Sequence, residues 1–324
     1  MTEPTSDIDV VTGAFSYSGS VIAAELAARG RQVRTLTGHP HRAPADTAIE
    51  IHPLDFDDPA RLTDALRGAR TLYNTYWVRF AHGGIDHDLA VRNCRTLFES
   101  AAAAGITRIV HVSILHPALD SPFPYFRGKA QVEQILAELA AERGVTHAIV
   151  RPSVLFGRGG VLINNIAWLL RHLPVFAVGG RGDYLVRAIH VDDLARLCVD
   201  LGARTDDITL DAVGPDRLTF RELVEAVRAG VHSRSKIVGV PAPVLMVLSA
   251  ALGAVLRDSV LTSEEYRTMA AGMADSDAPS TGETRLTEWL AAHGDELGRS
   301  YANEIRRHFD APDTKKSPRR SSRR

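Results

Sequence analysis

Ile8-Asp9-Val10-Val11-Thr12-Gly13-Ala14-Phe15-Ser16-Tyr17-Ser18-Gly19 is the stretch on which the reading of this chain turns. Its β-branched start reads as a strand, Ile8 to Thr12. The glycines that follow read as a tight turn opening a helix from Gly19 to Arg29, closed by Gly30. A turn of this kind at a strand-to-helix junction has a specific physical use. Glycine lets backbone come close to a phosphate, and the unpaired N–H groups of the helix N-terminus attract its negative charge.

Working outward, the alternation continues. Gln32 to Thr37 reads as a strand, and Asp58-Pro59 opens a helix that ends at Arg67 before Gly68. Strands Thr71 to Tyr76, Arg108 to Ser113 and Thr146 to Val150 are separated by helices Asp88 to Ala104 and Phe126 to Arg143. Such βαβ alternation predicts an α/β fold, a Rossmann-type doubly wound parallel sheet whose ligands sit at the strands' C-terminal ends. After Gly157 the order loosens. Val161 to His172 reads as a helix, Val175 to Val178 and Leu185 to Val191 as short strands, and Asp192 to Leu201 as a helix. Capping boxes at Thr219/Glu222 and Thr262/Glu265 open two more. The expected organisation is a nucleotide-binding domain over residues 1–157 and a smaller, mostly helical substrate lobe over 158–310. Some strands of that lobe are free to return to the main sheet, and a basic tail covers 311–324.

A chain of 324 residues, 45% hydrophobic and 24% charged, has ample material for a folded core. Its net charge of −1 hides an asymmetry: residues 311–324 carry six Lys/Arg against one acid, which leaves the rest acidic. An acidic body argues against nucleic acid as a partner, and the tail reads as a solvated, disordered extension. Two distant cysteines, Cys94 and Cys198, indicate neither a disulfide framework nor a zinc site, and a reducing cytoplasm is the expected compartment. No stretch reaches the ~20 apolar residues of a transmembrane helix. The longest apolar run, Ala242 to Leu256, is expected to be a buried or partner-facing helix, with membrane-surface contact as the lesser reading.

The chemistry-bearing residues cluster at the ends of the expected strands. Gly13, Phe15, Ser16, Tyr17 and Gly19 form the turn that would cradle a dinucleotide pyrophosphate. The second strand runs into Thr37-Gly38-His39-Pro40-His41-Arg42, without the acid that accepts from a ribose 2′-hydroxyl. NADP(H) is therefore favoured over NAD(H), with Arg42 as the candidate 2′-phosphate partner. Ser113 ends a strand, and Tyr125 and Lys129 stand at i and i+4 on one helix face. An unperturbed phenol, with pKa near 10, is a poor base at neutral pH, so a neighbouring ammonium that lowers it has catalytic value.

This set resembles the short-chain dehydrogenases/reductases of the extended or atypical kind, over about residues 8 to 310. Within them it is similar to NAD(P)-dependent epimerase/dehydratase-like proteins and to the NADPH-binding accessory subunits of respiratory complex I. The supports are the Gly13 to Gly19 turn, Asp55, Asn93, Ser113, the Tyr125/Lys129 pair, Arg151 to Gly157 and Ile189 to Asp193. The resemblance implies that Tyr125 moves the proton, Ser113 orients the substrate oxygen and Lys129 holds the nicotinamide ribose. It further implies that Asn93 completes a proton relay, that Asp55 and Phe56 lie along the adenine, and that Thr75, Pro152 and Val154 also contact the cofactor. Three departures stand out, the first being the Ser113 to Tyr125 gap of twelve, shorter than in typical sugar epimerases. Ser16 replaces the middle glycine of the turn. Tyr73-Asn74-Thr75-Tyr76-Trp77-Val78-Arg79-Phe80 also puts aromatic and basic residues where small ones are common, a wall read as shaping the substrate pocket.

Other polar residues rank lower. His82, Asp86, His87 and Asp88 fit no recognised metal spacing, and no metal site is expected. Asp192 and Asp193 read as helix N-terminal acids, His190 as packed, and Asn164, Asn165 and Arg187 as substrate contacts. The expected function is an NAD(P)-dependent oxidoreductase or epimerase/dehydratase acting on a small carbonyl or alcohol substrate. The competing expectation is a structural or redox-sensing protein that binds NADP(H) without converting anything. A homodimer is left open.

Overall fold

Consecutive residues of a strand face opposite sides of a sheet, and in this chain both sides are apolar. In a computed structural model describing residues 8–78, 84–258 and 260–303, that property is used throughout the first half. β1 (Ile8–Thr12), α1 (Tyr17–Ala28), β2 (Gln32–Thr37), β3 (Glu50–Pro53), α2 (Pro59–Leu66), β4 (Thr71–Asn74) and α3 (His87–Ala103) follow in order. Then come β5 (Arg108–Val112), α4 (Pro124–Arg143) and β6 (Thr146–Pro152). Val10, Leu72, Ile109 and Ile149 pack on one face against α2, α3 and α4. Their neighbours Val11, Tyr73, Val110 and Val150 pack on the other.

The second half begins with β7 (Leu155–Phe156), α5 (Val161–His172), β8 (Val175–Gly179), β9 (Leu185–Val186), β10 (Ile189–His190) and α6 (Val191–Gly202). It continues with β11 (Ile208–Ala212), β12 (Leu218–Thr219), α7 (Phe220–Gly230), β13 (Lys236–Val240), α8 (Ala242–Leu256), α9 (Ser263–Ala270) and α10 (Leu286–His293). Two of these elements belong to the first layer. β11 pairs parallel with β6, completing a seven-stranded sheet in the order β11-β6-β5-β4-β1-β2-β3. α6 shares the Val11 and Val110 core with α1. The remaining elements have a core of their own, built on Phe156, Ile163, Leu170, Leu223, Val227 and Trp289.

The strand order reverses between β1 and β4, and this opens a crevice at their carboxyl ends. α1 starts at Tyr17 rather than Gly19, because Ser16 caps it: its Oγ accepts from Gly19 N at 3.3 Å. α4 starts at Pro124, since proline is suited to a helix's first turn, so Tyr125 lies in that turn. Of the two expectations for α8, buried or partner-facing, full burial does not hold: Leu245 and Ser249 are buried, but Val244, Val247, Leu248 and Val255 are exposed. The basic tail, Arg79, Phe80 and His82 lie outside the described residues.

Candidate active site

The glycine turn is shaped by contacts that exclude side chains. Gly13 has φ +65°, and a Cβ on Gly19 would stand 2.2 Å from the Gly13 carbonyl oxygen. Ser16 N donates to Gly13 O at 2.8 Å, and Ala14 N donates to Thr35 Oγ1 at 3.0 Å. Phe15 N and Ser18 N have no acceptor among the described residues. A tight turn with open N–H groups at a helix N-terminus suits a pyrophosphate. The departure at Ser16 serves that geometry, because its oxygen caps α1 while its hydroxyl proton stays available. The residues present thus fit a dinucleotide, which would supply or accept the hydride when bound. Arg42 lies half-buried in a short turn after β2, and Asp55 Oδ1 accepts from Asp57 N at 3.2 Å.

At the switch point, one buried network joins β1, β4 and β5. Thr12 Oγ1 accepts from Thr75 N at 2.8 Å, and Thr75 Oγ1 donates to Thr12 O at 2.6 Å. Asn74 Oδ1 accepts from Tyr76 N at 3.0 Å, so its amide nitrogen faces His111 Nδ1 at 3.0 Å as donor. His111 therefore carries its proton on Nε2, and complete burial holds its pKa well below the usual range, keeping it neutral. Phe56 packs on Tyr76, with ring centroids 4.8 Å apart.

The other end of the crevice differs from the expected tetrad. Lys129 is buried, and its Nζ donates to Val112 O at 2.8 Å. The same nitrogen lies 4.5 Å from the centre of the Trp77 ring. Burial brings the ammonium's pKa down to about 8. Ser113 Oγ donates to Glu133 Oε1 at 2.5 Å, and Arg151 donates to both Glu133 oxygens, at 3.0 Å and 2.5 Å. With its proton directed into a carboxylate, Ser113 presents only lone pairs to an incoming group. Asn93 Nδ2 donates to Tyr76 Oη at 2.7 Å, so in this structure its amide serves the aromatic wall.

Tyr125 and Lys129 both meet Trp77. The Tyr125 ring stands edge-on to it with centroids 5.8 Å apart, and His87 stacks on the indole at 5.8 Å. Gly128 makes room for this, since a Cβ there would reach the indole at 3.0 Å. Trp77 Nε1 and His87 Nδ1 are buried without a partner among the described residues, two polar atoms beside the phenol. Glu133 and the role of Trp77 escaped the sequence reading. The signal for Glu133 was present, since Tyr125, Lys129 and Glu133 form an i, i+4, i+8 row on α4.

Residues of the second half mostly bind loops. Asn164 and Asn165 bond to the backbone of Gly298, Ser300 and Ala302, and Arg187 bonds to Gly214, Ser276 and Ala278. Their amides and guanidinium are thereby occupied, contrary to the expectation of substrate contact. His190 caps α6 and packs on Phe156, and Asp193 accepts from the backbone of Glu283 and Thr284. Ser153 Oγ donates to Ala274 O at 2.7 Å, bringing residue 274 to the end of β6 between Pro152 and Val154. Among the described residues, no group of His, Cys, Asp and Glu is placed to hold a metal ion.

The chain is similar to known proteins in sequence and in fold. The chain is 26% identical over 265 residues to the protein y4nG of Sinorhizobium fredii, covering 72% of this chain and 62% of that one. It is 23% identical over 264 residues to the mitochondrial NADH-ubiquinone oxidoreductase 40 kDa subunit of Neurospora crassa, covering 79% of this chain and 68% of that protein. The chain thus spans roughly six to seven tenths of these relatives' lengths. In fold it is similar to Citrobacter sp. triphenylmethane reductase complexed with NADP(H). That match has a TM-score of 0.70 and 18% identity, covering 88% of this chain and 99% of the other. Residues 10–209, which carry the glycine turn, the switch-point network and the Tyr125/Lys129 helix, match the family profile, and the chain belongs to the NAD dependent epimerase/dehydratase family.

Proposed function

We propose that this protein is an NADP(H)-dependent oxidoreductase acting on a small carbonyl or alcohol substrate, with Tyr125 as the acid–base group. The observation that carries the reading is the pairing, across one crevice, of an open glycine turn with a half-buried phenol beside orphaned polar atoms. Tyr125 would pass its proton to the substrate oxygen in reduction and take it back in oxidation, while Trp77 and His87 exclude water around it. Ser113, whose proton goes to Glu133, would accept a hydrogen bond from a substrate hydroxyl rather than donate one. Lys129, on Val112 O, would set the local positive charge beneath the ring. Arg42, with no acid at the end of β2, supports NADP(H).

Native mass spectrometry of freshly purified protein tests the cofactor, with NADP(H) expected as a bound adduct. NADPH oxidation across a panel of aldehydes and ketones tests the chemistry. A protein that neither carries nor binds a dinucleotide would end this reading.

One observation favours a second reading, a protein that holds NADP(H) without converting a substrate. Trp77 covers the Lys129 ammonium, and the Ser113 proton is already committed. One relative is named as a subunit of NADH-ubiquinone oxidoreductase, consistent with a role inside an assembly. Bound NADPH that survives the whole panel, with Trp77→Ala gaining no activity, would select it.

A further inference from the structure

The Lys129 ammonium has several protons to place, and the described residues offer them one oxygen, Val112 O at 2.8 Å. Its other close neighbour is the face of Trp77, with Nζ 4.5 Å from the ring centre. A ring face is a poorer partner for an ammonium than an oxygen, so this buried charge is only partly satisfied. The indole is in the same position. Its Nε1 is buried with no partner among the described residues, and so is Nδ1 of His87, which stacks on it with the two planes 6° apart. Buried polar atoms without partners weigh against the arrangement that contains them.

The seat of the ring is nonetheless specific. Gly128 lies inside α4, where glycine weakens a helix. A Cβ there would stand 3.0 Å from the indole, so the missing side chain is what lets the ring lie over Lys129. Packing thus holds the ring in place while unmet hydrogen bonds favour its release. Opposed terms of this kind leave an element poised between two arrangements. The contested ammonium sits at the carboxyl end of β5, next to β4, at the far end of the crevice from the glycine turn.

We propose that Trp77 gates dinucleotide binding: its indole and the ribose hydroxyls at the nicotinamide end compete for the Lys129 ammonium, and binding displaces the indole. The inference rests on the dinucleotide reading above and adds to it a cost of opening. Ribose oxygens serve the uncovered protons better than a ring face does, and the displaced indole N–H gains an acceptor in water. The adenine end meets no such barrier, because the glycine turn already stands open. Affinity for the whole dinucleotide is therefore scaled down by the fraction of molecules in which Lys129 is uncovered, and affinity for an adenine fragment is not.

Isothermal titration of the full chain with NADP+, and with 2′,5′-ADP as the adenine fragment, tests this without reference to any activity. Trp77→Ala should bind NADP+ about tenfold more tightly than the native protein does, with affinity for the fragment unchanged within about twofold. A fluorescence titration reads the same displacement with the ring still present. The chain has three tryptophans, so the difference between the native protein and Trp77→Phe isolates the emission of Trp77. That emission should shift to the red as NADP+ saturates the native protein, because the indole leaves its buried seat, and should stay fixed with the fragment. Emission that ignores saturating NADP+ would overturn the gate, and this arm decides alone should Trp77→Ala not fold. Unchanged or weaker NADP+ binding in a folded Trp77→Ala protein would also overturn it, as would an equal gain for dinucleotide and fragment. NADP+ binding by neither the native protein nor Trp77→Ala would instead remove the dinucleotide reading itself, and the gate with it.

Discussion

The two ends of the crevice are committed in opposite ways. At the glycine turn, Gly13 and Gly19 shape the backbone and leave Phe15 N and Ser18 N open to a ligand. At the other end, Ser113, Lys129 and Asn93 each already hold a protein partner: Glu133, Val112 O and Tyr76 respectively. The contrast teaches that a turn's geometry follows from a few adjacent residues. The partner a side chain takes, by contrast, depends on what other elements bring to it.

Tyr125 is where that comparison breaks hardest. Tyr125→Phe should lower turnover by about 10²- to 10⁴-fold on any substrate the native protein converts, with dinucleotide affinity held. Steady-state kinetics beside a binding titration would read both, and undiminished turnover would remove Tyr125 from the chemistry.

Lys129 gives the next largest effect, on stability against pH. Unfolded, the amine keeps its proton to about pH 10.5; folded, burial brings its pKa to about 8. Between those values the unfolded chain binds more protons, so rising pH favours the fold, by up to about 3 kcal/mol in sum. Denaturant titrations from pH 7 to 10 should show this gain in the native protein relative to Lys129→Met. Parallel curves for the two would mean that the buried ammonium keeps its proton.

At the turn itself, Gly19→Ala forces a methyl to within 2.2 Å of the Gly13 carbonyl. Overpacking of this kind costs about 2 kcal/mol, and dinucleotide affinity should fall with it by at least about tenfold. Isothermal titration with NADP(H) and a thermal melt would separate the two losses. The smallest effect is expected at Ser16. Ser16→Ala removes the cap of α1 and should cost about 1 kcal/mol, while Ser16→Gly costs a few tenths, a ranking that melting curves resolve.

Much of the first half was legible because its signals are local. β1 and β2 lie where their β-branched runs place them, and α2 is capped by Asp58 ahead of Pro59. The capping boxes at Thr219 and Thr262 open α7 and α9 as read. What escaped needed distant partners. Ile208 to Ala212 becomes a strand of the main sheet only because β6 offers an open edge. Asn164, Asn165 and Arg187 looked like ligands, yet loops more than 25 residues away in sequence use up their hydrogen bonds. A polar side chain does not encode its own partner.

By itself, the sequence determined the parallel doubly wound fold, the glycine turn and the Tyr125/Lys129 face, since period, capping and i, i+4 spacing are properties of neighbouring residues. Only the tertiary structure decided that Trp77 closes over Lys129, that Ser113 gives its proton to Glu133, and that α8 turns an apolar stripe outward. These depend on which elements pack together, and burial, charge and hydrogen-bond satisfaction settle that for the whole molecule at once.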